Sequence, residues 1–248
     1  EGPGPEGGGT GGQGGRHGPE GHRDEEGRRD QEGGRHQDRS EEGSRLNTGG
    51  PARGRLIVLE GGEGCGKSTQ AARLAGTLDA VLTREPGGTA TGERLRALLL
   101  DPDLPAVAER TETLLMLAAR AQHVVEVIAP ALAAGRHVVC DRFSGSTLAY
   151  QGYGRGLGLG DLTAMSDWAS AGIRPDRVVL LTLPATEAMA RLGRRGSRDR
   201  MEGQGREFFD RVAAGFVALA AADPVTWRLV DGSGPVERVA ARVLAASH

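Results

Sequence analysis

Cysteine is scarce in this 248-residue chain: Cys65 and Cys140 are the whole complement, and they lie far apart. Such a pair makes neither a disulfide framework nor a metal-ligand spacing, which points to a reducing cytoplasm. An excess of one charge is also lacking. The formal net charge of −2 gives no whole-chain pull toward nucleic acid or anionic membrane. No apolar run approaches the ~18 residues of a membrane span. The N-terminal stretch has no apolar segment of the kind a secretory signal requires. The expectation is therefore no nucleic-acid partner and no membrane contact by this segment. Histidines fall at no metal or catalytic spacing, and three of the six lie within the first 50 residues. Lysine is the most pointed absence. Of 31 lysines and arginines, Lys67 alone is lysine.

From Glu1 to Arg45 the chain has no Ala, Val, Ile, Leu, Met, Phe, Trp, Tyr or Cys. A segment with nothing to bury cannot offset the entropy lost on ordering it. A glycine- and arginine-rich tail could bind nucleic acid, but residues 1–50 hold seven arginines against eleven acidic residues. Attraction to phosphate is thus largely cancelled. Residues 1–50 are expected to be a disordered tail or linker, and residues 51–248 a single folded domain with a substantial core.

Within that domain, short apolar runs at Leu56–Leu59, Ala80–Thr83, His137–Cys140, Val178–Leu183 and Thr226–Val230 read as strands. Helical patterns fall between and after them, at Ser68–Leu78, Gly92–Leu100, Thr111–Ala133, Leu162–Ala171, Thr186–Leu192, Glu207–Ala221 and Val236–Ala245. Strands alternating with helices predict a parallel sheet covered on both faces, with ligands at the carboxyl ends of its strands.

The first strand runs into Gly61-Gly62-Glu63-Gly64-Cys65-Gly66-Lys67-Ser68-Thr69, which fits G-x-x-x-x-G-K-[ST]. Glycines let backbone N–H groups converge on phosphate oxygens, and the helix opening at Lys67 adds its positive end. Lys67 carries a compact charge on a flexible stem, suited to reaching the β and γ phosphates where a planar guanidinium fits poorly. That accounts for the one lysine. Ser68 would place its hydroxyl on a magnesium ion. A second strand ends in Asp141-Arg142, where the aspartate either helps hold magnesium or serves as a helix cap or ion-pair partner. The polar, aromatic and glycine-rich stretch from Arg142 to Tyr153 reads as a loop or short helix lining a site.

These stretches together resemble a thymidylate kinase of the bacterial type. The resemblance rests on Leu59-Glu60-Gly61 entering the phosphate loop, Thr83-Arg84-Glu85-Pro86-Gly87-Gly88-Thr89, Ala118-Ala119-Arg120, Asp141-Arg142-Phe143 and Ala149-Tyr150-Gln151-Gly152. It implies a P-loop, nucleoside-monophosphate-kinase-like three-layer α/β fold with a five-stranded parallel sheet and a short lid. It implies ATP and Mg2+ as cofactors and transfer of the γ-phosphoryl group to dTMP. Residues Gly61 to Thr69 would then hold ATP, and Ser68 and Asp141 the metal. Arg142 and Arg96 would grip the acceptor phosphate, and Arg120, Thr147 and Gln151 would read thymine. Tyr150 would crowd the position of a ribose hydroxyl, with Glu63 and Glu85 near the sugar. Relatives often stack an aromatic ring on thymine where this chain has Met116. Gly64 leaves no arginine in the loop, so a catalytic arginine is expected in the lid, where Arg191, Arg194, Arg195, Arg198 and Arg200 cluster with Asp199 and Glu202. Arg198 and Arg200 are the leading choices. The resemblance further implies a homodimer built on the Thr111–Ala133 helix. Two other readings stand beside it: a kinase for a different nucleotide or nucleoside, and a nucleotide-binding module without catalysis.

Overall fold

The structure is a computed structural model that describes residues 53–193, 200–201 and 203–248. The expected tail at 1–50, the lid arginines Arg194, Arg195 and Arg198, and their neighbours Asp199 and Glu202 lie outside the described residues.

Five parallel strands form one sheet in the order β2-β3-β1-β4-β5. They are β1 (Leu56–Gly61), β2 (Val81–Arg84), β3 (Val138–Asp141), β4 (Arg177–Thr182) and β5 (Trp227–Asp231). β1 is buried along its whole length, which is why it reads as a continuous apolar run with no polar alternation. Its register aligns Leu59 with Asp141 of β3, so the loops that follow these two strands emerge side by side.

Helices cover both faces. On one, α1 (Lys67–Leu78) and α9 (Val236–Ala246) close a cluster of Ile57, Leu59, Leu74, Val139, Val179, Leu181 and Val243. On the other, α3 (Glu109–His123), a wide π turn at Val124–Ile128 and α4 (Ala129–Ala133) pack Val124, Ile128 and Leu132 against Leu56, Val58 and Phe143. A third cluster joins α8 (Arg206–Ala222) to the π segment Leu148–Gly154 through Phe208, Val212, Phe216 and Tyr150. Each such side chain, fully buried, contributes about 1.5–3 kcal/mol of apolar transfer. The remaining helices are α2 (Ala90–Leu100), α5 (Ser144–Thr147), α6 (Leu159–Ala169) and α7 (Ala185–Gly193). The result is the expected three-layer α/β architecture.

The continuous helix Glu109–Ala133 has 25 residues and a mean hydropathy of 1.3 over its most apolar window, long and apolar enough by composition to cross a membrane. No continuous apolar run reaches that length, because polar residues interrupt the helix. Glu112, Arg120 and His123 punctuate it, and all three are buried against partners inside the domain. The polar stripe of this helix is part of the site.

Candidate active site

At the end of β1 the chain turns through Gly61 to Gly66 and enters α1 at Lys67. Gly66 sits in the left-handed region, and no side chain caps the helix start, so the first-turn N–H groups face the loop. Lys67 is buried to 6% exposure. Its Nζ donates to the Gly62 carbonyl at 2.7 Å and reaches the Cys65 sulfur at 3.6 Å. Those are contacts a phosphate oxygen can replace.

Gly64 is fixed by its neighbours. Its φ is 75°, and a Cβ there would come within 2.6 Å of the Ala188 carbonyl oxygen on α7. The position that would carry a loop arginine is therefore filled by the backbone of the helix leading into the lid. That helix also brings Arg191 over the loop, where it donates to Glu187 at 2.7 Å and to the Gly232 carbonyl at 3.2 Å.

Ser68 and Asp141 meet: the serine hydroxyl donates to Asp141 Oδ2 at 2.5 Å. Asp141 Oδ1 is buried with no hydrogen-bond partner. An orphaned carboxylate oxygen beside a hydroxyl, at the mouth of a phosphate loop, fits a hard cation that keeps waters and phosphate oxygens as its other ligands. No cluster of three or more His, Cys, Asp or Glu side chains able to hold a metal exists among the described residues.

Arg142 follows with φ at 74°, a left-handed conformation unusual for arginine. The turn is held by Glu60, wholly buried at the end of β1, which accepts from the Phe143 N–H at 3.0 Å, the Ser146 N–H at 2.9 Å and the Ser146 hydroxyl at 2.6 Å. Burial raises the Glu60 pKa, against the pull of those donors and of Arg142. Sequence reading saw Glu60 only as part of a motif and missed this role. So held, the Arg142 guanidinium donates to Gly61 O at 3.1 Å, Ser146 Oγ at 3.0 Å, Glu63 Oε1 at 2.5 Å and the Tyr150 hydroxyl at 3.1 Å. The Tyr150 hydroxyl also donates to Glu63 at 2.8 Å. Burial works against the Arg142 charge, but Glu63 and the surrounding acidic groups hold its pKa well above the ordinary arginine value. Burial likewise keeps the Tyr150 phenol protonated.

Beyond Arg142 lies a pocket of about 110 Å³ whose lining includes Glu63, Glu85, Arg96, Met116, Arg120, Arg142, Thr147, Tyr150 and Gln151. Every expected acceptor-side residue is thus brought to one place. Arg96 donates to the Pro86 carbonyl at 2.9 Å. Arg120, 3% exposed, donates to Glu85 at 2.8 Å and Thr147 at 3.0 Å, with a longer contact of 3.3 Å to Ser166. His123, fully buried, joins Glu85 at 3.0 Å to Thr83 at 2.5 Å and so steadies the carboxylate that steadies Arg120. Met116 lines the pocket as well. A larger cavity of about 480 Å³ opens between α7 and α8, but Met189, Leu192, Phe209 and Val217 make it mostly apolar.

Arg200 is placed differently from its expected catalytic position over the phosphate loop. Its Nε donates to the Leu99 carbonyl at 2.9 Å and its guanidinium pairs with Glu112 at 2.8 Å, on the acceptor side. Glu112, 1% exposed, is a buried anion that also draws in Arg155. Neither Glu112 nor Arg155 belonged to the sequence-derived site.

A lysine-bearing phosphate loop and a serine–aspartate pair stand beside a second, arginine-lined pocket, the layout of a P-loop kinase acting on a phosphorylated acceptor. Comparison with known proteins narrows the class. The sequence profile of the thymidylate kinase family matches residues 59–243, and on that match the chain belongs to this family, the nucleoside monophosphate kinases whose acceptor is thymidylate. It is 49% identical over 193 residues to a thymidylate kinase of Alkalilimnicola ehrlichii, covering 75% of this chain and 89% of that one. To a thymidylate kinase of Pseudomonas savastanoi pv. phaseolicola it is 47% identical over 193 residues, covering 76% and 92%. The crystal structure of thymidylate kinase from Ehrlichia chaffeensis superposes with a TM-score of 0.65 at 30% identity, covering 78% of this chain and 98% of that one.

Proposed function

We propose that this enzyme phosphorylates dTMP to dTDP, with ATP as donor and magnesium as the metal ion. The observation that carries this reading is the adjacency of the two phosphate sites. Gly61 belongs to the donor loop, yet its carbonyl accepts directly from Arg142, the first residue of the acceptor pocket, at 3.1 Å. Lys67 and the first-turn N–H groups of α1 hold the β and γ phosphates. Arg142 and Arg96 hold the acceptor phosphate and place its oxygen in line with the γ-phosphorus. Ser68 and Asp141 would hold magnesium, which neutralises charge on the phosphates. The pocket around Arg120 and Gln151 takes the base, with Tyr150 against the sugar. The lid charge falls to Arg191, already over the loop, and to Arg198.

The test is Mg-ATP-dependent ADP formation by the purified chain with dTMP, dUMP, dCMP, UMP, AMP and GMP. Turnover should be greatest with dTMP. A clear preference for another monophosphate would overturn the acceptor assignment, and ATP binding without acceptor-dependent turnover would overturn catalysis itself.

A homodimer is part of the same reading. Leu114 and Val125 on the long helix and Trp168 on α6 are 55%, 67% and 84% exposed, and α3 packs beside α6. Large apolar side chains left in water on adjoining helices mark an association surface. Light scattering should give twice the chain mass, and Leu114→Arg should return a monomer; a wild-type monomer at micromolar concentration would refute it. A cytoplasmic location also belongs to this reading, supported by the two cysteines being buried and unpaired.

A further inference from the structure

Glu112 lies outside the donor site and reaches the acceptor pocket only through its neighbours. Its Oε1 accepts from Gln151 Nε2 at 3.0 Å. Its Oε2 accepts from Arg155 at 3.1 Å and Arg200 at 2.8 Å. Burial works against its charge, and these donors prevail, so its pKa lies below the ordinary glutamate value. An ionised carboxylate can only accept. The amide of Gln151 therefore has one permitted orientation, with –NH2 toward Glu112 and the carbonyl oxygen left for whatever occupies the pocket.

We propose that Glu112 is a positioning residue that sets base specificity through Gln151, an inference that rests on reading this pocket as the base site. Arg120, which shares the pocket, carries donors only, and Gln151, with its –NH2 held by Glu112, turns its carbonyl oxygen to the pocket as an acceptor. A donor beside an acceptor matches the O4 and N3–H edge shared by thymine and uracil. It opposes the N4–H2 and N3 edge of cytosine at both points. The clamp therefore separates keto from amino pyrimidines and leaves thymine against uracil to contacts with the methyl group. Arg155 and Arg200 give the device its direction. They supply donors to Glu112 from the far side, so a residue at 112 must answer them with oxygen before it can serve Gln151.

Glu112→Gln tests this without changing side-chain size. The new amide must turn its oxygen to the two arginines and its –NH2 to Gln151. Gln151 then flips and shows a donor to the base. KM for dTMP should rise at least about tenfold, and the preference for dTMP over dCMP in kcat/KM should shrink by at least about the same factor. Saturating kcat with dTMP should change less. The decisive measurement is a double-mutant cycle in the folded full-length chain, with thermal unfolding recorded for each variant. In a Gln151→Ala background, Glu112→Gln should no longer alter the dTMP-to-dCMP ratio. An unchanged ratio in the single variant, or an equal shift with and without Gln151, would overturn the proposal. If Glu112→Gln fails to fold, Gln151→Ala alone must still narrow the ratio, and an unaltered ratio there sinks the clamp as well. Should the wild-type enzyme itself show no preference for dTMP over dCMP, the base-site reading fails first, and the experiment distinguishes that outcome.

Discussion

Arg142→Ala is expected to lower kcat/KM for dTMP by roughly three orders of magnitude while leaving ATP binding close to wild type. The guanidinium donates at four points and is the link between donor loop and acceptor pocket. Each charge-assisted hydrogen bond to a phosphate oxygen contributes about 1.5–3 kcal/mol. Loss of two such bonds at the moment of transfer accounts for the size of the effect. Removing the cation also leaves Glu63 facing the acceptor phosphate with less compensation, and like charges there oppose substrate entry. Arg142→Lys restores charge but no fork, so it should recover part of the loss. Steady-state kinetics on both variants, with ATP titrated separately, checks the split. A loss under tenfold for the alanine variant would show that Arg142 is not the phosphate grip.

Lys67→Ala should be nearly as damaging and should fall on kcat. Its ammonium sits in a nearly dry pocket, bonded to the Gly62 carbonyl and touching the Cys65 sulfur. A charge held in such surroundings acts on the transferring phosphoryl group far more strongly than one in water, and loss of such a group costs about 10²–10³ in rate. Lys67→Arg is the more telling substitution. In a chain that uses arginine everywhere else, it should still lose most activity, because the planar fork does not fit between Gly62 and Cys65. Single-turnover measurements at saturating ATP separate the chemical step from binding. Wild-type rates in Lys67→Arg would mean that the one lysine is an accident of composition.

Much of the fold was legible because parallel strands buried on both faces advertise themselves as unbroken apolar runs. The ends were less legible. β2 and β3 each extend to a polar residue, Arg84 and Asp141, and those two are paired in register. A strand in an α/β sheet ends where its ligand site begins, so Arg84, beyond the apolar run at Ala80–Thr83, is still in the ladder, as Asp141 is. The site residues that motifs carry came together as expected. Glu112, Arg155 and His123 did not announce themselves, because their partners are distant in sequence. Arg155 meets Glu112 across 43 positions, and His123 meets Glu85 across 38. Nothing local distinguishes a buried helical glutamate from an exposed one. Arg200 illustrates the converse: a cluster of arginines suggested closure over the loop, but a buried carboxylate decides where that guanidinium rests. The π segment Leu148–Gly154 left no periodic trace, so the stretch bearing Tyr150 and Gln151 read equally well as loop or helix.

The donor loop hangs from β1 and the acceptor arginine from β3, and those strands are hydrogen-bonded neighbours. Their spacing, about 4.8 Å, is a property of the peptide ladder, independent of any side chain. The sheet thus works as a ruler between two independently replaceable grips. On the proposed assignment, substitution in either loop would alter what is grasped, while the separation of the strands that carry the loops is inherited from the backbone. A variant with a new acceptor preference is therefore expected to keep the same strand spacing beneath its two loops.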